Sequence, residues 1–196
     1  AKGLARAMAN TKQVKAASVF NDGFTAGNSA IGDGVAFFSA SHPTVVAGTQ
    51  SNLIAASDLA QATLETALTS VQKTKDDRGI LVGASVVSLH IPVDSWNIAD
   101  VLLNTPGKVS SADNDINATR HMGMVPNGFY VNRRFTDTTS WYLKTDVPNG
   151  TKMFNRTPLQ TKMEPDFDTG NLRFKARERY SFGVSDWRGW YGSAGS

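Results

Sequence analysis

The sequence contains no cysteine, which excludes disulfides, thiol catalysis and thiolate metal sites. Histidine is scarce: His42, His90 and His121 are the whole stock, no two of them stand at helical ligand spacing, and His42 is fixed before Pro43. A metal site would therefore need carboxylates brought in by the fold, and structural or surface histidines are the simpler expectation. Glutamate is nearly absent, with Glu65, Glu164 and Glu178 the only three among 17 acidic residues. Charged residues make up 19% of the chain, against about 25% in an average globular protein. No apolar run approaches the ~20 residues of a membrane span, and no signal-peptide core stands at the N-terminus, so no membrane partner is expected. An intracellular product is the corresponding expectation.

What is present is an ordinary apolar content, 40% hydrophobic residues in 196, enough to build one domain or two small ones sharing elements. Ser, Thr, Asn and Gly together supply 65 residues. Such a polar, lightly charged exterior suits contact with other protein, although Asp-rich caps and turns in an ordinary domain account for the same composition. The net charge of +3 is unevenly placed: residues 1–24 and 151–196 each sum to +3, and residues 25–150 to −3. Like ends around an unlike middle are what a discontinuous domain with an inserted second domain would show.

Along the chain, residues 2–20 are expected to be helical, with Leu4, Ala7, Met8, Thr11, Val14 and Ser18 on one stripe and Gly23 beyond the end. No helix-start signal precedes Lys2, so a preceding segment is expected in the full protein. Residues 25–56 read as a long loop, of the kind that is functional or pinned by a partner. Asp58 with Gln61 forms a capping box for a helix whose buried stripe is Ala60, Leu64, Ala67, Leu68 and Val71; Lys73, Lys75 and Arg78 suit its last turn, and Gly79 ends it. Residues 85–91 read as a strand closed by Pro92, and 95–104 as a short helix capped by Asp94. Residues 105–128 carry no period. Phe129, Val131 and Phe135 alternate, as do Trp141, Leu143 and Val147. The clearest alternation places Leu172, Phe174, Ala176, Tyr180 and Phe182 on one face and Arg173, Lys175, Arg177 and Arg179 on the other, in a hairpin with 152–163 turned at residues 165–170.

No motif builds an active site. Asp168-Thr169-Gly170 spells an aspartic-protease signature, but that chemistry needs two such carboxylates sharing a proton, and one copy at a hairpin turn is turn chemistry. Gly32-Asp33-Gly34 is too short for a phosphate loop. Asp113-Asn114-Asp115 lacks the glycine and distal glutamate of a calcium loop and fits a turn or interface loop. No catalytic, metal or cofactor residue is expected. The basic face of Arg173, Lys175, Arg177 and Arg179 has two readings: neutralisation of a nucleic-acid backbone, or pairing with acids of a neighbouring strand or subunit. The second is favoured because Glu178 and nearby Asp residues dilute the field.

The string ARERYSFGVSDWRGWYGS at 176–193 resembles the C-terminus of tailed-bacteriophage major capsid proteins of the Mu-type head-subunit group. Further pieces resemble that family in the same order: Ala5-Arg6-Ala7-Met8 with Asn10-Thr11-Lys12, Ser39 to Thr44, Gly48 to Leu53, Asp77-Arg78-Gly79, Asn114 to Asn117, and Thr136-Asp137 through Trp141. The resemblance implies an α+β chain of the Hong Kong 97-type capsid fold, with a peripheral domain (a spine helix plus a long β-sheet) and an inserted axial domain. Residues 1–24 would be the spine helix, 25–147 the axial domain, and 148–196 the peripheral strands and C-terminal tail; the family's N-terminal arm and extended loop would precede this sequence.

The implied function is that of a non-enzymatic major head protein that self-assembles as pentamers and hexamers into an icosahedral virion shell in the host bacterial cytoplasm. That shell would enclose double-stranded DNA through non-specific contact and meet portal, scaffold or decoration proteins. Arg173, Lys175, Arg177, Arg179, Asp113, Asn114 and Asp115 are the inter-subunit contact candidates, with the 105–128 loop expected near the capsomer axis. A protein-filled bacterial nanocompartment shell and an unrelated soluble enzyme are the alternatives.

Overall fold

The computed structural model describes residues 2–25, 31–108, 115–168 and 170–196. Helix α1 (Lys2–Asn21) comes first, followed by the short pair β1 (His42–Pro43) and β2 (Thr49–Gln50), helix α2 (Gln61–Gln72), strand β3 (Val86–Ile91), and helices α3 (Trp96–Asn104) and α4 (Ala118–His121). Strands β4 (Phe129–Val131), β5 (Trp141–Thr145), β6 (Thr151–Pro165), β7 (Leu172–Val184) and β8 (Trp190–Ser193) complete the chain.

Residues 141–143 set the architecture. Successive strand side chains point to opposite faces, yet Trp141, Tyr142 and Leu143 are all buried, so the sheet that holds them is covered on both sides. That sheet has the order β4-β3-β5-β8, with β3 parallel to β4 and antiparallel to β5, and β5 antiparallel to β8. On one face Leu89, Ile91, Trp141, Leu143 and Tyr191 pack with Leu64, Leu68 and Val71 of α2 and with Ala99, Leu102 and Leu103 of α3. On the other, Tyr142 and Trp190 join Phe37, Phe38, Val184 and Trp187, with Phe20 and Phe24 from the end of α1 and Phe135 packed against them. Phe20 meets Trp190 edge-on at 4.7 Å and Tyr142 at 5.3 Å, a geometry that adds about 0.5–1.5 kcal/mol per pair beyond area burial.

His90, on β3, faces this aromatic side. Its ring stacks on Tyr130 and meets Trp190 edge-on, and desolvation, followed by the charge of Lys144, lowers its pKa to about 4. A depressed folded-state value leaves the unfolded chain binding more protons below the ordinary value near 6.5. The group's stability contribution is therefore complete above about pH 6.5 and lost as pH falls towards 4. Wild-type protein is expected to lose about 2 kcal/mol more between pH 7 and pH 5 than the His90→Gln variant; equal losses in paired denaturant titrations would refute the assignment.

In the segment expected as a long loop, described residues 31–56 are irregular apart from the β1–β2 pair but work as a wall. Phe37 and Phe38 are buried, and on the outer edge of β8 Ile54 N–H donates to Gly192 O at 2.8 Å while Gly192 N–H donates to Asn52 O at 3.2 Å. An exposed strand edge invites pairing with other chains; residues 52–54 occupy this one. The wall is itself held by a buried polar node. Asn52 and His42 are fully buried; His42 Nε2 donates to Asn52 Oδ1 at 2.9 Å, and a proton bridges His42 Nδ1 and Asp33 Oδ2 at 2.6 Å. The His42 ring also lies flat on Trp187, with centroids 4.6 Å apart.

Several local expectations change. Helix α2 starts after Ala60 rather than at Asp58: Thr63 Oγ1 accepts from the Ala60 N–H, whereas Asp58 Oδ1 accepts from Ser196 N–H. Leu59 replaces Ala60 in the core. The helix ends at Gln72, so Lys75, Arg78 and Gly79 belong to the turn that follows, and Lys73 is its cap. Asp94 lies in a 3₁₀ turn (Val93–Ser95) and makes no capping bond to α3. Asn117 does more than sequence suggests: it is buried, its Nδ2 donates to Leu102 O at 2.7 Å and Thr105 O at 3.2 Å at the end of α3, and its Oδ1 accepts from Arg120 N–H to start α4. Those orphan groups of two helix ends are satisfied by one side chain.

Candidate inter-subunit surface

The hairpin expected from alternation is there, longer by a few residues at each strand: β6 and β7 pair from Thr151↔Val184 to Pro165↔Leu172. Register shifts flank Pro158, which has no N–H to give to the ladder. The turn closes with Gly170 N–H donating to Asp166 O at 2.9 Å and Gly170 at φ +65°. Asp168 is therefore exposed turn chemistry.

Directly opposed residues share a face of an antiparallel pair, so the ribbon's two faces can be written down. One carries Met163 with Phe174, Thr161 with Ala176, Asn155 with Tyr180 and Met153 with Phe182. Helix α1 lies on this face: Lys12 pairs with Glu178 and sits over the Tyr180 ring at 5.3 Å. The stripe read on α1 is thus only partly the covered one, through Met8 and Ser18. Leu4, Ala7, Thr11 and Val14 are exposed, and the covered side runs through Met8, Lys12, Ala16, Ala17, Val19 and Phe20, because a charged residue stands in the middle of the contact and hides it from an apolar count. Glu178→Gln is expected to loosen α1 from the ribbon by about 1–2 kcal/mol, read as a lowered thermal midpoint; an unchanged midpoint would refute the contact's importance.

The opposite face carries Glu164 with Arg173, Lys162 with Lys175, Gln160 with Arg177 and Thr157 with Arg179. All are exposed except Thr157. Arg173 reaches Asp166 Oδ2 at 2.5 Å. Among the described residues no ion pair engages Lys162, Lys175, Arg177 or Arg179, and Lys162 stands across from Lys175, a like-charge opposition that costs ribbon stability. Glu178, expected to dilute this field, is on the other face and neutralised by Lys12. The structure therefore brings the four basic candidates together on one surface. Asp115 lies elsewhere, next to a Gly107–Ile116 bridge, where its carbonyl accepts from Lys108 N–H at 2.8 Å; Asp113 and Asn114 lie outside the described residues.

Beyond α1 the ribbon leaves Met163, Leu172 and Phe174 exposed. A two-stranded ribbon on its own is marginal in water, and α1 supports only part of this one. Among the described residues no group of His, Asp or Glu side chains could hold a metal ion, and no helix is long and apolar enough to cross a membrane.

A family model for phage capsid protein matches residues 1–193. The chain belongs to the phage capsid protein family. Capsid proteins of this family are structural, and shell building is the class of activity they carry. No curated protein matches the sequence. Among solved structures, a phage-related protein from Bordetella bronchiseptica is similar at TM-score 0.55 and 11% identity, over 98% of this chain and 62% of that one. The capsid of an empty GTA particle is similar at TM-score 0.54 and 15% identity, over 98% of this chain and 65% of that one. These likenesses concern the fold, and this capsid-family chain spans less than two thirds of either structure's length.

Proposed function

We propose that this chain is the shell-forming part of a major head protein of a tailed bacteriophage, of the Mu-type group and the Hong Kong 97-type fold. Copies assemble as pentamers and hexamers into an icosahedral shell around double-stranded DNA, held by sequence-independent charge. The family match over residues 1–193 carries the reading. A ribbon with bare apolar and cationic faces supports it, since a subunit whose exterior becomes interface has reason to keep such faces. In the proposed layout, residues 1–24 and 148–196 form the peripheral domain and 25–147 the axial insert, with β8 returning to complete the insert's sheet; the 105–128 loop lies near the capsomer axis. Assembly takes place in the host cytoplasm, with portal, scaffold or decoration proteins as further partners.

The test is the particle mass of the full-length protein by light scattering, with the contents analysed after purification. A megadalton closed shell holding double-stranded DNA is expected. A stable monomer overturns the shell reading, and a shell filled with protein cargo replaces the phage head with a nanocompartment.

A further inference from the structure

We propose that the cationic ribbon face of one copy seats on the outer surface of α3 in a second copy, an inference that rests on the shell reading above. The ribbon offers Lys162, Lys175, Arg177 and Arg179, exposed, unpaired within the described chain and set partly against one another. Its complement has to be anionic and has to tolerate the long apolar stems of these side chains. Residues 93–104 meet both conditions. The segment contains Asp94 and Asp100 and no Lys or Arg. Its inner side, through Ala99, Leu102 and Leu103, is used by the sheet, which leaves Asp94, Trp96, Ile98 and Asp100 outside, with Trp96 55% and Ile98 48% exposed.

Trp96 and Asp100 stand four residues apart on α3 and therefore on the same side. One Asp100 oxygen accepts from Asn104 Nδ2 at 2.6 Å, leaving the other free for a guanidinium. An exposed indole beside a carboxylate is what an arginine fork uses twice, in-plane to the oxygens and face-on to the ring. Tryptophan and arginine are also the side chains on which interface energy concentrates. The two surfaces are different parts of the chain, so the contact is head-to-tail and propagates from copy to copy until a ring closes. Nucleic-acid phosphate would satisfy the charge of the ribbon but gives the exposed Trp96 beside Asp100 no role.

The experiment uses full-length protein freed of nucleic acid, with particle yield read by light scattering and monomer folding by thermal melting. Arg177→Glu with Arg179→Glu is expected to lower particle yield at least about ten-fold with the monomer melt unchanged. Asp94→Lys with Asp100→Lys is expected to do the same, and mixing the two double variants makes both contacts between unlike copies complementary again and recovers assembly. On wild-type particles, zero-length carbodiimide coupling is expected to join Lys162 or Lys175 to Asp94 or Asp100 between subunits, a readout independent of whether any variant folds. Coupling of these lysines only to other carboxylates would overturn the inference in favour of another surface, and variants that assemble normally but bind added double-stranded DNA more weakly would overturn it in favour of nucleic acid. Wild-type protein that forms no particle overturns the shell reading first, before any variant is compared.

Discussion

Asn52→Ala is expected to destabilise the folded chain by about 3–5 kcal/mol, enough to lower the thermal midpoint by about 10 °C or more. The size follows from what one fully buried amide satisfies. Its Oδ1 accepts from Ser39 N–H at 2.9 Å and from His42 Nε2 at 2.9 Å; its Nδ2 donates to Phe37 O at 2.8 Å and Trp190 O at 3.1 Å, with Trp187 O at 3.3 Å. That network fixes the orientation of the amide, because carbonyls surround one end and N–H donors the other. Alanine removes all of these partners and leaves the groups buried, each at about 1–3 kcal/mol, partly recovered by relaxation. Its backbone also pairs with Gly192, so the loss unfastens the wall from the edge of β8. Ser51→Ala, one residue away and exposed, is the control, expected within about 0.5 kcal/mol of wild type. Equal midpoints for Asn52→Ala and the control, in urea titrations of both, would show the node to be dispensable.

Nothing in the local sequence marks Asn52 as such a residue. It lies between Ser51 and Leu53 in a polar stretch without period, and its five partners lie in two separate parts of the chain, residues 37–42 and 187–190. The hairpin was legible for the opposite reason. A ribbon with one face bare keeps strict alternation, so Arg173, Lys175, Arg177 and Arg179 announce their side directly. Trp141-Tyr142-Leu143 shows how that signal fails when both faces are covered: alternation picks out Trp141 and Leu143 and passes over Tyr142, which is just as buried but belongs to a different core. Helix α1 fails differently, since Lys12, paired with Glu178, interrupts the apolar period of Met8, Ala16 and Val19 on its covered side. The candidate surface was half legible. The basic residues could be read from alternation, which also puts Glu178 on the other face, but the pairing of Glu178 with Lys12 and the bare α3 surface with Trp96 required the fold.

Gly192→Ala is expected to cost about 3 kcal/mol, at the upper end of overpacking penalties. A Cβ built at this position stands 2.8 to 3.0 Å from three carbons of the Phe38 ring, closer than carbon atoms tolerate. The usual escapes are shut. Phe38 is 2% exposed and stacks on Phe37 with centroids 4.2 Å apart, on Phe24 at 5.0 Å and against Tyr142 at 5.2 Å, so the ring moves only if the cluster moves. The strand cannot retreat either, since Gly192 is opposite Tyr142 in the β5 pairing and bonded to Asn52 and Ile54 on its other edge. Shrinking the obstacle should therefore rescue the change: in Phe38→Leu/Gly192→Ala the two costs are expected to fall short of additive by at least about 1 kcal/mol. Thermal or urea unfolding of both single variants and the double variant measures that coupling. Strict additivity would mean that Phe38 and residue 192 do not meet, and would remove the physical reason for a glycine at this point of the C-terminal string.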